Sequence, residues 1–264
     1  MREVRAVHLS FDFEECDLPR ESGVDYPVSR GVEVSAEGAH AILDVLRGHG
    51  VKATFFCTLT FAERAPDVMK RIVEEGHEVA AHGVDHFRPR PDDPQRCREG
   101  LMRLTGAEVA GYRQPRMAKT DPAALAAAGY RYDASLNPAF VPGRYMHLSA
   151  PKTPFREGGL LRIPASVTPV LRIPLFWLSL HLMPEAMYFA LARRSLESHG
   201  LFVTYFHPWE FSRTFAAEAA SMRVSPLIRR NLGEPMSGRL DRLVSRLGEV
   251  PFAEFLPLTY QTEL

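Results

Sequence analysis

The sequence is poor in cysteine and has no excess of charge of either sign. Its three cysteines, Cys16, Cys57 and Cys97, form no Cys-x-x-Cys pair, so they do not make a disulfide framework, and we expect a reducing compartment. Lysine and arginine together number 32, and aspartate and glutamate also number 32. Nucleic-acid-binding proteins usually carry a basic surplus, so this balance argues against nucleic acid as the main partner.

A long uninterrupted apolar run is also missing. The most apolar stretch, residues 173–192, is broken by Pro174, His181, Pro184 and Glu185, whereas a spanning helix needs about 20 predominantly apolar residues. We therefore predict no transmembrane segment and favour a core segment followed by an amphipathic helix. The alternative is a lipid-facing surface near the substrate. The first five residues contain no apolar signal-peptide region, so we expect a cytoplasmic protein, membrane-peripheral if 173–192 contacts lipid.

Strand-like and helix-like patterns alternate along the whole chain. Strands are predicted over 4–12, 52–57, Glu78–Ala81, 109–112, 130–133, 160–163, Leu201–Phe206 and 252–259. Helices are predicted over 39–47 with Ser35 as N-cap, from Pro66 up to Gly76, and over 92–104, 122–128, Glu185–His199 and 236–247, with loops over 16–34 and 137–154. This alternation predicts a parallel sheet or barrel wrapped by helices, in one domain over residues 1–264.

Polar residues gather where the predicted strands end. These residues are Asp12, Glu14, His82, His86, Arg113, Asp133 and His207. In parallel α/β barrels the carboxyl ends of the strands form the face on which active sites lie. We therefore expect these side chains to meet at one end of the barrel.

Four of them have the spacing of a metal site. His82 and His86 are four residues apart, so a single helical turn after the strand would place both rings on one face. Asp12 and Glu14 are two apart on an extended segment and point to the same side. Together they predict a site for Zn²⁺ or another divalent first-row metal, with one carboxylate as ligand and the other as general base. A solvated acidic loop beside surface or core histidines is the alternative.

Arg113 and His207 extend this candidate site. An arginine at a strand end can pair with a carboxylate and fix its charge state, although a surface salt bridge there would be worth little. His207 follows a strongly apolar strand, where a half-buried imidazole can serve as a general acid. A core histidine with satisfied hydrogen bonds is the alternative for His207.

Taken in order, these segments resemble the motifs of the polysaccharide deacetylase family, also called the NodB-homology or carbohydrate esterase 4 family. The matching segments are Ser10-Phe11-Asp12-Phe13-Glu14-Glu15, His82 to His86, Arg113-Gln114-Pro115, Tyr132-Asp133-Ala134-Ser135 and Tyr205-Phe206-His207. The run from Tyr205 to Glu210 resembles the subgroup encoded with exopolysaccharide export systems. The resemblance covers residues 7–211 and implies a distorted (β/α) barrel, often with seven strands.

The resemblance also implies an activity, the hydrolysis of an N-acyl group, usually the acetyl of an N-acetylhexosamine. By motif position Asp12 is the general base, Arg113 orients Asp12, and His207 is the acid that protonates the leaving amine. For Asp133 the resemblance leaves two roles open, tuning His207 or holding Arg113.

The metal ligands implied by the resemblance are His82, His86 and a carboxylate. The usual first motif has two adjacent aspartates, and here Phe13 takes the second place. We therefore expect Glu14 to be the third ligand, with Asp12 in that role as the alternative.

Three functions follow from this reading. The favoured one is a metal-dependent deacetylase acting on an N-acetylated glycan or a lipid-linked sugar. The others are a metal-independent amidohydrolase of a small cyclic amide and a non-catalytic glycan-binding relative. Activity that survives chelation would favour the amidohydrolase, and a turnover assay tests the non-catalytic alternative.

Overall fold

The computed structural model describes residues 5–141 and 145–261, so Val4 of the first predicted strand lies outside the described residues. The strands are β1 (Ala6–Phe13), β2 (Thr54–Cys57), β3 (Glu78–Ala81), β4 (Gly111–Tyr112), β5 (Tyr132–Asp133), β6 (Phe140–Val141), β7 (Tyr145–Met146), β8 (Phe155–Glu157), β9 (Leu160–Arg162) and β10 (Leu201–Phe206). The helices are α1 (Leu18–Glu21), α2 (Val28–His49), α3 (Leu59–Arg64), α4 (Pro66–Glu74), α5 (Asp93–Thr105), α6 (Pro122–Ala127), α7 (Trp177–Leu182), α8 (Glu185–His199), α9 (Arg213–Glu218), α10 (Pro226–Arg229), α11 (Glu234–Leu247) and α12 (Leu256–Gln261). Short 3₁₀ helices cover Pro115–Met117 and Pro208–Phe211.

Eight strands form one curled sheet in the order β10-β1-β2-β3-β4-β5-β9-β8. The first seven run parallel to their neighbours, and β8 pairs antiparallel with β9. Helices pack against the sheet, α8 on β10 and both α4 and α5 on β3. The expected distorted (β/α) barrel is confirmed, with seven parallel strands, and β6 and β7 form a separate ribbon.

Strand β1 divides its side chains between two environments, as the two-residue period of a strand requires. Phe11 stacks on Phe55 at 5.3 Å, and Phe13 packs edge-on against Phe61 of α3 at 5.6 Å, so these rings fill the layer between sheet and helices. Asp12 points to the other side, into the barrel, where it is 3% exposed. The strand therefore buries its aromatic face and delivers a carboxylate to the barrel interior.

The C-terminal segment closes the barrel interior. It is not the strand predicted over 252–259, so that prediction is wrong. A single bridge joins Val7 to Phe252, and α12 follows. The half-buried Glu78 carboxylate accepts the backbone N–H groups of Phe255 at 2.9 Å and Leu256 at 3.1 Å. These bonds satisfy donors at the start of α12, so the segment becomes a helix that caps the barrel.

Helix α2 begins earlier than predicted, so the loop over 16–34 and the N-cap at Ser35 are both wrong. Ser35 is fully buried within the helix, which starts at Val28. A Cβ on Gly38 would lie 1.8 Å from the carbonyl oxygen of Pro208, so only glycine permits this close packing. The contact presses α2 against the turn that follows β10 and fixes where that turn lies.

The apolar stretch 173–192 contributes mainly to the core. Leu175, Phe176 and Trp177 are buried there, whereas Leu182 and Met187 are 44% and 46% exposed. Across both described ranges, no helix combines the length and the apolar character needed to cross a membrane. The three cysteines are buried and unpaired.

Candidate active site

The carboxyl ends of four strands of the sheet bring most of the predicted site residues together. Strand β1 carries Asp12 and leads into Glu14, while His82, Arg113 and His207 directly follow β3, β4 and β10. The parallel register aligns these ends, because Phe13 pairs with Cys57, Cys57 with Ala81 and Ala81 with Tyr112. The site therefore lies at the end of the barrel where the sequence placed it.

Glu14, His82 and His86 form a compact buried cluster. Their candidate ligand atoms all lie within 4.8 Å of one another. Oε2 of Glu14 is 3.2 Å from Nε2 of His82 and 3.1 Å from Nε2 of His86. The two imidazoles stack with their centroids 5.5 Å apart.

The segment that carries the two histidines is a loop, so the predicted helical turn is wrong. Gly83 adopts a φ of 81°, a conformation that glycine tolerates best. The N–H groups of Leu59 and Thr60 bond to the carbonyls of Gly83 and Val84 at 3.0 and 2.9 Å. These bonds to the start of α3 replace helical hydrogen bonds and hold both rings toward Glu14.

Hydrogen bonds fix the tautomer of each imidazole. Nδ1 of His82 donates to the carbonyl oxygen of Arg113 at 2.8 Å. Nδ1 of His86 bonds to the carboxylate of Asp17 at 2.8 Å. With Nδ1 carrying the hydrogen, the Nε2 lone pair of each neutral ring faces the carboxylate of Glu14, and outer partners of this kind are typical of metal-bound histidines.

Burial dominates the electrostatics of the cluster. It raises the pKa of Glu14 to about 8 and lowers the pKa of His82 to about 4. For His86 burial acts downward, but the charge of Glu14 and the bond to Asp17 outweigh it and raise the pKa. An isolated carboxylate is therefore costly at Glu14, and a positive species beside it would stabilise the charged form.

These residues fit a divalent cation. Two nitrogen lone pairs and a carboxylate oxygen face one another at 3.1–3.2 Å, so a proton or a cation must lie between them. Two histidines and one carboxylate are a common catalytic zinc set that leaves one position open. The donor chemistry also suits other first-row divalent ions.

Asp12 lies beside this cluster and is paired with Arg113. The guanidinium is 1% exposed and forms an ion pair with Asp12, and it also donates to the hydroxyl of Ser10 at 3.0 Å and to the carbonyl of Ala134 at 3.1 Å. Burial acts to raise the pKa of Asp12, but the charges of Arg113, His82 and His207 outweigh it and lower that pKa. Asp12 is therefore an anion at neutral pH.

His207 faces Asp12 from β10, with its Nε2 atom 4.0 Å from Oδ2 of Asp12. Its ring stacks on Trp209 at 5.3 Å and meets Trp177 edge-on at 5.3 Å. Burial acts to lower the pKa of His207, but the hydrogen bond that its ring donates to Glu210 and the nearby carboxylate charges outweigh it and raise that pKa. The site thus sets a carboxylate base against an imidazole whose protonated form is favoured.

Asp133 makes neither of the contacts expected of it. Its carboxylate accepts from the hydroxyl of Thr120 at 2.6 Å and the N–H of Ser135 at 2.9 Å, and it lies 3.2 Å from Arg162. The side chain faces a polar cluster beside β9, away from His207 and Arg113, which corrects that expectation. The hydroxyl of Ser135 in turn accepts the N–H of Gln114 at 2.8 Å. Asp133 therefore stabilises, through Ser135, the segment that follows Arg113.

Three acidic residues near the site had no role in the sequence interpretation. Asp17 holds His86, and Glu15 accepts the N–H of His86 at 2.9 Å. Glu210 bonds to Nδ1 of His207 at 3.0 Å. Glu210 had a local signal, because it stands three residues after His207, whereas Asp17 meets His86 only through the fold.

The pocket over these groups is lined by both polar and apolar side chains. Its polar lining residues are Asp12, Glu14, Asp17, Glu21, His86, Arg116 and His207. Its apolar lining residues are Leu18, Met117, Trp177, Leu178, Tyr205, Trp209 and Ile228. Such a cleft offers a ligand both hydrogen-bonding groups and aromatic or aliphatic surface.

Residues 5–134 match the family described as Polysaccharide deacetylase. A peptidoglycan deacetylase of Helicobacter pylori is 30% identical over 125 residues, which make up 43% of this chain and 43% of the relative. The chain spans less than half the length of the first curated relatives it matches, with 17%, 20% and 43% of each covered.

Solved structures share the fold. A peptidoglycan N-acetylglucosamine deacetylase, Bc1960, superposes with a TM-score of 0.54 at 18% identity, over 97% of this chain and 88% of its own. An allantoinase superposes with a TM-score of 0.64 at 15% identity, over 97% and 89%. At these identities the likeness concerns the fold alone. The sequence match is thus to the first part of the chain, residues 5–134, and the structural matches show that the fold is shared.

Proposed function

We propose that this chain is a metal-dependent hydrolase that removes the N-acyl group of an amino sugar. The observation that supports it most is the convergence of two Nε2 atoms on the buried carboxylate of Glu14. Buried acceptors that face one another without a donor are costly, and a cation between them removes that cost. The cation would be held by Glu14, His82 and His86.

Zn²⁺ or another divalent first-row ion bound there supplies Lewis acidity toward an acyl oxygen and toward water. The chain's own residues prepare that position. Asp17 and the carbonyl of Arg113 orient the two imidazoles, and Glu15 holds the loop between them. Such outer partners fix the direction of the ligand atoms before any ion arrives.

Asp12 would be the general base. Its ion pair with Arg113 keeps it ionised and fixes its rotamer, so one carboxylate oxygen remains directed toward the pocket. When water adds to the acyl carbon, Asp12 takes the proton that the water loses. Arg113 acts through Asp12 and does not line the pocket.

His207 would be the general acid. Its Nε2 atom faces the same part of the pocket as Asp12, at 4.0 Å from that carboxylate. As the carbon–nitrogen bond breaks, the bonding electrons pass to nitrogen, and His207 gives its Nε2 proton to that nitrogen. Without this proton an amine is a poor leaving group, and the water would be expelled instead.

The test uses the purified protein loaded with Zn²⁺ and oligomers of N-acetylglucosamine, because several relatives are named for deacetylating such sugars. Acetate release and new free amines are measured together. We expect turnover by the loaded wild-type chain, and none above background by Asp12→Asn, with its metal content unchanged. Normal deacetylation by Asp12→Asn would overturn the assignment of the base.

A metal-independent amidohydrolase is the second candidate. The observation that favours it is the raised pKa of Glu14, about 8, which lets a proton occupy the place of the cation near neutral pH. Exhaustive chelation separates the two functions. Activity on N-acetylated sugars that disappears on chelation and returns with Zn²⁺ supports the first, and hydrolysis of a cyclic amide that persists supports the second.

We further propose that the sugar belongs to a polysaccharide or a lipid-linked precursor, as in exopolysaccharide assembly. Support comes from the apolar residues that line the pocket, among them Trp177 and Leu178 at the start of α7. Farther along the chain, Leu182 and Met187 leave exposed apolar surface.

Flotation with vesicles of anionic phospholipid tests this. We expect wild-type chain to float and the double variant Leu182→Asp/Met187→Asp to stay in the aqueous fraction. Leu104→Asp, at a residue that is 48% exposed on α5, is the matched control and should float like wild type. Equal flotation of all three proteins would remove the support for lipid contact.

A further inference from the structure

A buried chain of three side chains runs from the pocket into the core behind His207. Nδ1 of His207 bonds to Oε1 of Glu210 at 3.0 Å, and Oε2 of Glu210 bonds to Nε2 of His181 at 2.9 Å. Glu210 and His181 are both fully buried. A buried carboxylate shared by two imidazoles is costly to assemble, so its place directly behind a proton donor calls for a functional reason.

The local sequence sets Glu210 in this position. The chain leaves β10 at Phe206 and turns through the 3₁₀ helix Pro208–Phe211. Glu210 reaches back to accept the N–H of His207 at 2.6 Å as well as its Nδ1. The carboxylate therefore holds both the backbone and the ring of His207.

We infer that Glu210, backed by His181, is the positioning residue that fixes the tautomer and the charge of His207. This inference rests on the proposed function, in which His207 protonates the leaving nitrogen. Because a carboxylate only accepts, Nδ1 of His207 must carry a hydrogen, and the proton that can be given away is the one on Nε2, which faces the pocket. After the transfer His207 is neutral and keeps its Nδ1–H bond to Glu210.

His181 completes the arrangement without competing for a proton. Its Nε2 must donate to Glu210, and its Nδ1 is buried with no hydrogen-bond partner among the described residues. A buried lone pair without a partner is tolerated better there than a buried N–H without one, so the ring donates through Nε2 alone. The full negative charge of Glu210 is then available to an imidazolium at His207.

Neighbouring side chains also hold His181 and His207 in place. Asn231 donates to the backbone carbonyl of His181 at 2.7 Å, and Trp177 packs edge-on against both His181 and His207. These contacts and the bonds to Glu210 hold both rings, so the position of the Nε2 proton is set before a substrate binds.

The test is Glu210→Gln in the Zn²⁺-loaded chain, because glutamine keeps the shape and one acceptor oxygen but removes the charge. On N-acetylglucosamine oligomers we expect kcat to fall by about 10²-fold or more, with KM changed by less than about threefold. On p-nitrophenyl acetate, whose leaving group departs as a stable anion, we expect a change below about threefold because no acid is needed.

Glu78→Gln is the matched control, since Glu78 is a half-buried carboxylate that likewise accepts several hydrogen bonds, but it caps α12. We expect it to lower the melting temperature without separating the amide and ester rates. Equal losses on both substrates in Glu210→Gln, or an unchanged amide rate, would overturn the positioning role. A wild-type chain that never releases acetate refutes the proposed function instead.

A second measurement does not depend on any variant folding. Nitrogen NMR of the wild-type chain reports which ring nitrogen of neutral His207 carries the hydrogen. We expect the Nδ1–H form, and the Nε2–H form would overturn the inference.

Discussion

Arg113→Met tests how strongly the fold depends on the pairing that prepares the base. The guanidinium is buried beside Asp12 and lies over the ring of Phe56 at 4.0 Å. Methionine fills much of the volume but removes the guanidinium from the buried carboxylate of Asp12, which is 3% exposed and keeps His207 only at 4.0 Å. Breaking a buried pair in this way costs about 3–5 kcal/mol of unfolding free energy, of which the lost bonds to Ser10 and Ala134 are a part.

A double variant that also neutralises Asp12 separates the effect of the buried charge from the effect of lost packing. In Asp12→Asn/Arg113→Met no unpaired charge remains, so we expect the double variant to lose about 2–3 kcal/mol less than the sum of the two single losses. Urea unfolding at neutral pH, followed by circular dichroism, measures all four proteins.

Arg242→Met is the control for an exposed pair. Arg242 bonds to Glu185 at 2.7 Å with its side chain 49% exposed, and we expect a loss within about 1 kcal/mol. Strict additivity of the Asp12 and Arg113 variants, or a loss below about 1 kcal/mol for Arg113→Met, would refute the reasoning.

Three further predictions concern packing, pH and metal. Gly38→Ala should lower the unfolding free energy by more than about 2 kcal/mol, because its Cβ would overlap the Pro208 carbonyl. Gly48 has open space around it, so Gly48→Ala should be neutral or stabilising in a melting experiment. Burial lowers the pKa of His8 from 6.5 to about 4, so between these pH values the unfolded chain binds more protons than the folded chain. The unfolding free energy therefore falls as the pH falls through that range. In urea titrations at several pH values, His8→Gln should make this decrease smaller by up to about 3 kcal/mol. Zn²⁺ at 100 times its dissociation constant should raise the unfolding free energy by about 2.7 kcal/mol, and Glu14→Gln should lose most of that gain in calorimetry.

Elements with strong local signals could be predicted to the residue. The bounds of β3, β10 and α8 are those expected from the sequence, because Gly76 and Gly200 adopt positive φ at the boundaries and Pro208 follows the last strand. The extent of α2 and the helix at the C-terminus could not be predicted. Both depend on distant partners, the Pro208 carbonyl against Gly38 and the Glu78 carboxylate beneath α12, and neither leaves a pattern in the local sequence.

In the candidate site, too, some residues could be placed from the sequence and others could not. Asp12, Glu14 and His82 could be placed together from the sequence because all stand at strand ends, and parallel strands align their ends. The groups that orient them could not, since Asp17 meets His86 across 69 positions in the sequence. Asp133 shows the converse, because it stands at a strand end but turns to Arg162 instead of entering the pocket.

The spacing of Asp12 and Glu14 follows from what position 13 must do for the core. Phe13 is fully buried and packs against Phe55 at 4.7 Å and Phe61 at 5.6 Å, in the layer between the sheet and α3. A carboxylate at position 13 would enter that aromatic layer and lie on the opposite side of the strand from Asp12. The next position that faces the barrel interior is 14, beyond the last residue of β1, where the longer side chain of glutamate reaches the two imidazoles. The odd positions of β1 thus serve the core and the even positions face the candidate site, so the proposed ligand lies two residues from the proposed base.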